Sequence, residues 1–339
     1  MSAARVQIHW PGDLGSKRTI LPMRYRLAAL AVAAGSLALA IPGGTASARP
    51  LHAAENQAGQ AGDEAGDCRR RPLRIPPRAE DAPSGAQFAR TIAALPARAR
   101  DEAIVAQLLS GNVPSFLRTT VPISLDRSDG SGPHRVTLCV MPDYLAVGSD
   151  SDYLMVPMAL PAAATVSAAF GASLPTRRIV DAIYAQASVR LRPHPLPPGE
   201  AMQSIAYYSH HSDLIRQQRR QQRAPPQALV AGHKKDLVLT NRLWTNRDRV
   251  AIYGWHRESG APIQPLSTVH GASYADYSHG VRLVAATAWR DGEAVALLDL
   301  LDDPSAARLL SDEGPLRRPG ALLSAHLPPT VLQQRNPRW

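Results

Sequence analysis

Histidine, aspartate and lysine side chains are concentrated between Gly232 and Val284. His270, Asp276 and His279 follow one another closely there, and Lys235 precedes them. Two histidines can act as general acid and base near neutral pH, because the ordinary pKa of imidazole lies there. A carboxylate can orient an imidazole, and an ammonium group can stabilise an oxyanion. We therefore predict that His270, Asp276, His279 and Lys235 are catalytic residues.

Aromatic and basic side chains accompany these four residues. Aromatic rings can stack on sugar rings, and basic groups can hold carboxylates. The predicted substrate-binding residues are Tyr253, Trp255, His256, Tyr274, Tyr277 and Arg282. Arg282 is also a candidate for stabilising an anion, as an alternative to Lys235.

The segment Asp276 to Gly280 is the densest part of the region. In an extended segment, alternation places Asp276 and Ser278 on one face and His279 on the other. This arrangement disfavours a direct pair of a Ser278 nucleophile and a His279 base. We expect Ser278 to brace the turn at Gly280, Gly280 to allow close approach of a ligand, and Asp276 to orient His270.

Each of these residues also has a structural interpretation. A histidine next to Trp255 or Tyr277 is often a hydrogen-bonded structural group, and Asp276 could cap its loop. Lys235 could form an ion pair with Asp236 at the end of a strand. A metal centre built on His256, His270 and His279 ranks last because the chain has no HExxH pair, and the sequence indicates neither a metal site nor a cofactor.

Short apolar runs predict the elements that position this region. Residues 250–253 and 281–284 are β-prone and flank it, and residues 229–230 and 237–239 predict buried strands. Four further strands, separated by Asp-Gly, Gly-Pro, Pro-Asp and Gly-Ser-Asp turns, predict a small antiparallel meander. They cover residues 121–125, 135–140, 144–147 and 153–158.

Helical spacing of apolar residues completes the prediction. Two helices split by Pro96 follow Ser84, two more cover residues 161–170 and 176–187, and another runs through the Gln/Arg tract after Ile205. The fold class is therefore α+β, a single mixed domain with an antiparallel or mixed sheet flanked by helices. We predict that it spans residues 84–314.

The two ends of the chain differ in composition from this domain. Residues 1–48 predict a leader with a secretory signal peptide, because Arg24 and Arg26 precede an apolar run from Leu27 to Ile41 and then Ala-Ser-Ala. A membrane anchor is less favoured because the run is short, so we expect no stable membrane span after cleavage. Residues 49–83 predict a disordered linker and residues 315–339 a flexible tail.

Charge and cysteine content limit the class of partner. The chain has 38 basic and 28 acidic residues, of which the leader holds five and one, so the remainder carries a net charge of +6. This mild excess permits an anionic cell-envelope polymer as partner and disfavours nucleic acid for a secreted protein.

Cys68 and Cys139 are the only cysteines. They either form one disulfide or leave Cys139 buried and unpaired.

Three segments resemble an uncharacterised group of secreted bacterial proteins. They read GHKKDLVLT, VAIYGWHRESGAPIQPL and YADYSHGVRLV, and LPTRRIVDAIY upstream is similar to the same group. The resemblance covers about Phe88 to Gly314. It implies one ordered domain and an extracellular location, and it implies no particular activity.

A shorter resemblance is to L,D-transpeptidase domains. That family carries SHG, a nucleophilic cysteine, an apolar residue and then arginine; here Ser278-His279-Gly280 precedes Val281-Arg282-Leu283. Residues 252–254 are similar to the family's IHG strand, with Tyr253 in place of histidine. No cysteine lies between Gly280 and Arg282, so the thiolate chemistry of the family has no carrier here.

Two functions follow as hypotheses. The first is a secreted hydrolase that acts on a cell-envelope or extracellular polymer through a His/Asp/Lys site. The second is a non-catalytic cell-wall or polysaccharide-binding module with a degenerate transpeptidase-like site. Convergence of the candidate side chains on one pocket would favour the hydrolase, whereas a groove lined by exposed aromatic rings would favour the binding module.

Overall fold

The computed structural model describes Cys68, residues 72–129 and residues 132–327, and these form a mixed α+β domain, as the sequence predicts. The leader predicted for residues 1–48 lies outside the described residues. None of the helices in the described part of the chain is long and apolar enough to cross a membrane.

Local signals in the sequence account for the helix bounds. Ser84 caps the first helix in a capping box with Gln87, and Thr176 caps the fourth through the Ile179 amide. Gly171 ends the third helix in the left-handed region, at φ 67°. The helices are α1 (Gly85–Ile92), α2 (Ala97–Leu109), α3 (Leu160–Phe170), α4 (Arg177–Gln186), α5 (Ile205–Gln221), α6 (Leu297–Asp302), α7 (Ala307–Leu310) and α8 (Pro319–Ser324).

The strands form two larger sheets and two short ribbons. They are β1 (Val121–Asp129), β2 (Gly132–Val140), β3 (Ala146–Gly148), β4 (Tyr153–Met155), β5 (Ala172–Ser173), β6 (Val189–Arg190), β7 (Val230–Ala231), β8 (Lys235–Leu237), β9 (Ile252–His256), β10 (Pro262–Ser267), β11 (His279–Gly280), β12 (Val284–Arg290) and β13 (Glu293–Ala296).

The larger sheet has the order β1-β2-β12-β13, with β5 also pairing with β12. The predicted four-strand meander is wrong, because β3 and β4 pair only with each other in a separate ribbon. The free edge of β2 is taken instead by β12, which follows the candidate site in sequence, in a register that pairs Val140 with Val284. A contact of such long sequence separation leaves no local signal.

The second sheet, with the order β10-β9-β8-β11, carries the candidate site. Strands β8 and β9 are antiparallel, whereas β11 adds to β8 in parallel. The predicted strand at residues 281–284 is displaced: β11 ends at Gly280, and β12 begins at Val284 in the other sheet. The chain between them therefore connects the two sheets.

The domain is longer than predicted at both ends. Leu73 is buried, and the Arg74 amide donates to the Phe170 carbonyl, so residues 72–83 pack against the domain and are not a linker. At the other end, α8 and the chain up to Leu327 contribute buried leucines, so the predicted boundary at residue 314 is also wrong. Both ends contain many proline and arginine residues, and the predicted boundaries depended on that composition.

Cys68 and Cys139 form a disulfide with a Cα–Cα distance of 5.5 Å. The sequence left this pairing open. The bond links Cys68 to the buried Cys139 of β2, which lies 71 residues later in the chain. Closing a loop of that length stabilises a fold by about 4 kcal/mol through the entropy of the unfolded chain.

Candidate functional site

The pairing of β8 with its two neighbours places candidate residues side by side. Lys235 lies opposite Gly254 of β9 and opposite His279 of β11. Residues in one such row project to the same face of a sheet. Lys235 and His279 therefore share one face, whereas the next row, Tyr253, Asp236 and Gly280, projects to the other face.

A tight turn holds the acidic residue of the site. The Oδ1 atom of Asp276 accepts hydrogen bonds from the Ser278 amide at 2.8 Å and from the Ser278 hydroxyl at 2.6 Å. The His279 amide donates to the Asp276 carbonyl at 3.0 Å. Asp276 and Ser278 thus brace the turn together, and the buried Ser278 hydroxyl donates to a carboxylate and does not contact an imidazole.

Gly280 has a different role from the one expected. A Cβ atom at this position would lie 2.5 Å from the Tyr144 ring and 2.9 Å from the Cβ atom of Lys234. The close approach at Gly280 is therefore made by two side chains of the same chain. The space that a ligand would need beside the Gly280 backbone is filled.

His270 and Tyr274 cover the buried residues of the turn. Their rings stack with centroids 4.2 Å apart and an interplanar angle of 10°. The Tyr274 hydroxyl donates to Asp276 Oδ2 at 3.1 Å, and the His270 ring lies 6.0 Å from the His279 ring. We call Lys235, His270, Tyr274, Asp276 and His279 the His279 cluster. Five residues predicted for the site therefore converge.

The carboxylate in this cluster lies closer to His279 than expected. The distance from His279 Nε2 to Asp276 Oδ2 is 3.9 Å, which is too long for a hydrogen bond. His270 was the predicted partner of Asp276, but its contact with that residue runs through the Tyr274 ring and hydroxyl. Asp276 is therefore positioned to act on His279 more directly than on His270.

Burial sets the protonation states of the cluster. It lowers the pKa of His279 to about 4, against the attraction of Asp276, so this imidazole is neutral at pH 7. Burial also lowers the pKa of the half-buried His270. Burial acts to raise the pKa of Asp276, but the Ser278 hydrogen bonds and Lys235 lower it, and Asp276 is ionised.

His279 is fully buried, and neither ring nitrogen has a hydrogen-bond partner among the described residues. A neutral imidazole has one N–H donor and one acceptor nitrogen, and burying them without partners costs about 1–3 kcal/mol. Such atoms are rare in folded proteins and require an explanation. One such explanation is a bound ligand that supplies the missing hydrogen-bond partners.

Lys235 and Trp255 lie beside each other at the edge of the cluster. The Lys235 ammonium is 4.9 Å from the centroid of the Trp255 ring, a cation–π distance. Burial lowers the pKa of Lys235, and Asp276 acts in the opposite direction. The Trp255 indole nitrogen is buried and has no partner in the described part of the chain.

Two of the predicted binding residues, Tyr253 and His256, belong to a separate group that contacts α4. Asp181 Oδ1 accepts from the Tyr253 hydroxyl at 2.8 Å and from His256 Nε2 at 2.9 Å, and the Tyr184 ring stacks on His256 at 4.5 Å. We call these four residues the Asp181 cluster. They line a surface cavity of about 420 Å³.

The remaining two predicted binding residues are buried away from the His279 cluster. Arg282 donates to the carbonyls of Met141 and Val230 and lies over the Tyr144 ring, so it is not placed to stabilise an anion in the cluster. The Tyr277 ring packs against His211 and is 1% exposed. Tyr253 and Trp255 are likewise buried, so of the predicted stacking tyrosines and tryptophan only Tyr274 presents part of its ring.

Several polar residues next to the site were missed. Lys234 is fully buried, its ammonium lies 2.5 Å from the Tyr277 carbonyl, and burial lowers its pKa to about 7. Behind it, Asp143 pairs with His233 and Arg219. The polar run at residues 233–236, which lies between two predicted buried strands, was a usable signal for Lys234, but Asp143 and Asp181 lie far outside that segment.

Among the described residues, no group of three or more His, Cys, Asp or Glu side chains could hold a metal ion. The chemistry available to the His279 cluster is therefore described by its own groups: two neutral imidazoles, one carboxylate, one phenol and one lysine. Such a set can transfer a proton and stabilise a developing negative charge.

Comparison with known proteins does not extend this description: no family model, no curated protein and no solved structure matches the chain.

Proposed function

We propose that the protein is a secreted hydrolase that acts on a cell-envelope or extracellular polymer through the His279 cluster. The observation that carries the proposal is the buried, neutral His279, whose two ring nitrogens lack partners beside an ionised Asp276 and Lys235. Perturbed protonation states of this kind are concentrated at functional sites. The hydrolase requires that a substrate supply the partners that His279 lacks.

The roles of the residues follow from their exposure. His270 is half-buried whereas His279 is fully buried, so His270 is the imidazole that a water molecule can reach. It takes the proton of the attacking water and passes it to the leaving group. The side chains around His279 cover its ring completely; once the substrate displaces them, His279 donates its N–H to the developing oxyanion, and Lys235 adds positive charge there.

Water is the nucleophile in this proposal. The Ser278 hydroxyl donates to Asp276 and is buried, and both cysteines of the chain form a disulfide. Val281 stands where the transpeptidase resemblance would place the reactive cysteine. The oxygen of water therefore forms the new bond to the scissile carbon, and the polymer retains no covalent link to the protein.

The disulfide supports the proposed extracellular location. Structural disulfides form in oxidising compartments and are rare in the cytosol. Together with the leader expected from the sequence, the Cys68–Cys139 bond favours export. Sequencing the N-terminus of the secreted protein should place it near Arg49; residues before Met23 still attached would contradict the leader.

The test is hydrolysis of purified peptidoglycan and of an acidic polysaccharide, followed by the release of new amino groups and reducing ends. His270→Gln and His279→Gln should each lower the rate about 100-fold or more. His210→Gln, at an exposed position on α5, is the matched control and should retain the full rate. Full turnover by both site variants would reject the acid and base roles.

The alternative is a non-catalytic module that binds a cell-wall polymer or polysaccharide. It is favoured by one observation, the absence of a free nucleophilic side chain in the SHG turn. In this case the polymer would co-sediment with the protein, and no new chain ends would appear. Both proposals therefore predict that the polymer binds to the protein, but only the hydrolase releases new chain ends.

A further inference from the structure

The His279 cluster and its neighbour Trp255 contain more hydrogen-bond donors than acceptors. Within the described part of the chain, the Lys235 ammonium has no hydrogen bond and no carboxylate within 4.0 Å. The Trp255 indole N–H is also without an acceptor, and a neutral His279 carries one further N–H. Three neighbouring side chains thus have donors to offer to a ligand.

The only carboxylate of the cluster does not satisfy them. Asp276 Oδ1 accepts from the Ser278 amide and hydroxyl, and Oδ2 accepts from the Tyr274 hydroxyl. Oδ2 also lies 3.9 Å from the nearest nitrogen of His279. A further acceptor must therefore come from outside these residues.

The backbone at Trp255 is held in an unfavourable conformation. Its φ is +59°, directly after Gly254 at φ 114°, and the other positive-φ residues with side chains, Arg223, Asp291 and Arg318, are exposed. A left-handed conformation costs a non-glycine residue about 1–2 kcal/mol. Here it occurs in a strand at a buried tryptophan, which places the indole under the Lys235 ammonium. Strain of this kind is concentrated at binding and catalytic sites.

We propose that Lys235 and Trp255 form a subsite for a carboxylate group of the ligand. The ammonium and the indole N–H each donate to a carboxylate oxygen, and the charge of one lysine matches the single charge of a carboxylate. A phosphate monoester carries nearly two charges, and among the described residues Lys235 is the one cation that lies over the Trp255 ring. The inference rests on the proposed function for its choice of site, and it adds the substrate class: a polymer with carboxylate groups.

The chain contains a matched pair for comparison. Arg247 lies 5.2 Å from the centroid of the Trp244 ring, the same kind of contact as that of Lys235 with Trp255. In that pair the indole N–H already donates to the Arg317 carbonyl at 2.8 Å. A carboxylate should therefore bind to the Lys235–Trp255 pair and not to the Arg247–Trp244 pair.

The experiment uses the full mature chain with ¹⁵N-labelled tryptophan and sodium acetate as the probe. The indole N–H resonance of Trp255, assigned with Trp255→Phe, should move and saturate, whereas that of Trp244 should not. Lys235→Met should weaken binding at least tenfold, and Arg247→Met should leave it unchanged. Acetamide, a neutral molecule of the same shape, should bind at least tenfold more weakly than acetate.

The direction in which pH changes acetate affinity follows from the charge of Lys235. Only the ammonium form of Lys235 attracts a carboxylate, and burial lowers the pKa of this group. Acetate affinity should therefore fall as the pH rises through that pKa, and this dependence should disappear in Lys235→Met.

Four outcomes would overturn the subsite: no saturable shift at Trp255, equal binding of acetate and acetamide, undiminished binding to Lys235→Met, or tighter binding of inorganic phosphate than of acetate. Failure of the proposed function is distinct. If His279→Gln hydrolyses polymer at the full rate while acetate still binds at Trp255, the catalytic role is wrong and the subsite remains.

Discussion

Two buried histidines on the same sheet differ in how their polar atoms are satisfied. His256 in β9 is bonded to Asp181 at 2.9 Å and stacked on Tyr184. His279 in β11 is equally buried, but both of its ring nitrogens are unpaired among the described residues. His256 therefore has a hydrogen-bond partner within the chain, whereas His279 has none among the described residues.

In the proposed function this difference distinguishes the catalytic His279 from the structural His256. In the Asp181 cluster, a half-exposed carboxylate takes two donors from buried side chains, which removes the cost of burying them and links α4 to β9. In the His279 cluster the described residues supply no partner to either ring nitrogen of His279, so the cost of burying these atoms remains, and the neighbouring Trp255 has a positive φ and an indole nitrogen that is likewise unpaired there. Both groups contain histidine, aspartate and tyrosine, so residue type alone does not distinguish them.

The largest expected effect is on turnover. His279→Gln keeps a polar side chain of similar size but removes the imidazole, so the rate of polymer hydrolysis should fall about 100-fold or more. Thermal unfolding should change by only a few degrees, because the substitution breaks no hydrogen bond of the side chain. The initial rate of release of chain ends and the melting temperature provide the two readings.

Glutamine is the informative replacement here. The His279 ring is fully buried, so alanine would leave a cavity and lower stability for a reason unrelated to catalysis. A melting temperature that falls as far in His279→Gln as in a deliberate core truncation such as Leu237→Ala would place His279 with the structural residues.

The next effect concerns stability at the Asp181 cluster. Asp181→Ala removes the acceptor of both the Tyr253 hydroxyl and His256 Nε2, so the free energy of unfolding should fall by about 2 kcal/mol. Urea denaturation measures this loss. The double variant Asp181→Ala, Tyr253→Phe should recover part of it, since phenylalanine leaves no hydroxyl without a partner. Additive losses in the double variant would show that the hydrogen bond contributes little.

A separate effect should appear in the pH dependence of stability. His279 has its pKa lowered from an ordinary 6.5 to about 4, so between these pH values the unfolded chain binds a proton that the folded chain does not. Stability from this group is complete above pH 6.5 and is lost as the pH falls towards 4, by about 1.4 kcal/mol for each pH unit. His279→Gln should reduce the slope of unfolding free energy against pH in this window. An NMR titration in which the His279 ring protonates near pH 6.5 would contradict the shift.

The sequence predicts local features of the fold better than distant ones. Capping by Ser84 and Thr176 and termination at Gly171 depend on neighbouring residues, and the predicted helices there agree closely with the structure. The pairing of β2 with β12 joins residues more than 140 positions apart, and no local pattern encodes it. For that reason the meander predicted from turn signals was wrong while the α+β class was confirmed.

The prediction of the site shows the same difference between local and distant features. Lys235, His270, Tyr274, Asp276 and His279 come together because one parallel pairing of β11 with β8 joins two segments that were both singled out for their residue types. Tyr253 and His256 were assigned to the same site, but both contact Asp181 of α4 instead, because the positive φ angles of Gly254 and Trp255 between them interrupt the alternation of β9. Which face a side chain takes depends on register, and register depends on partners that the segment itself does not specify.

The smallest effect is expected at the rim of the Asp181 cluster. Glu258 lines the cavity there and pairs with Arg192 at 2.5 Å, and both side chains are about two-thirds or more exposed. Exposed ion pairs contribute little because water and salt screen them, so Glu258→Gln should change the free energy of unfolding by less than about 0.5 kcal/mol. The same urea experiment as for Asp181→Ala measures it. A loss comparable to that of Asp181→Ala would mean that the rim, and not the buried hydrogen bonds, holds the β9–β10 hairpin against α4.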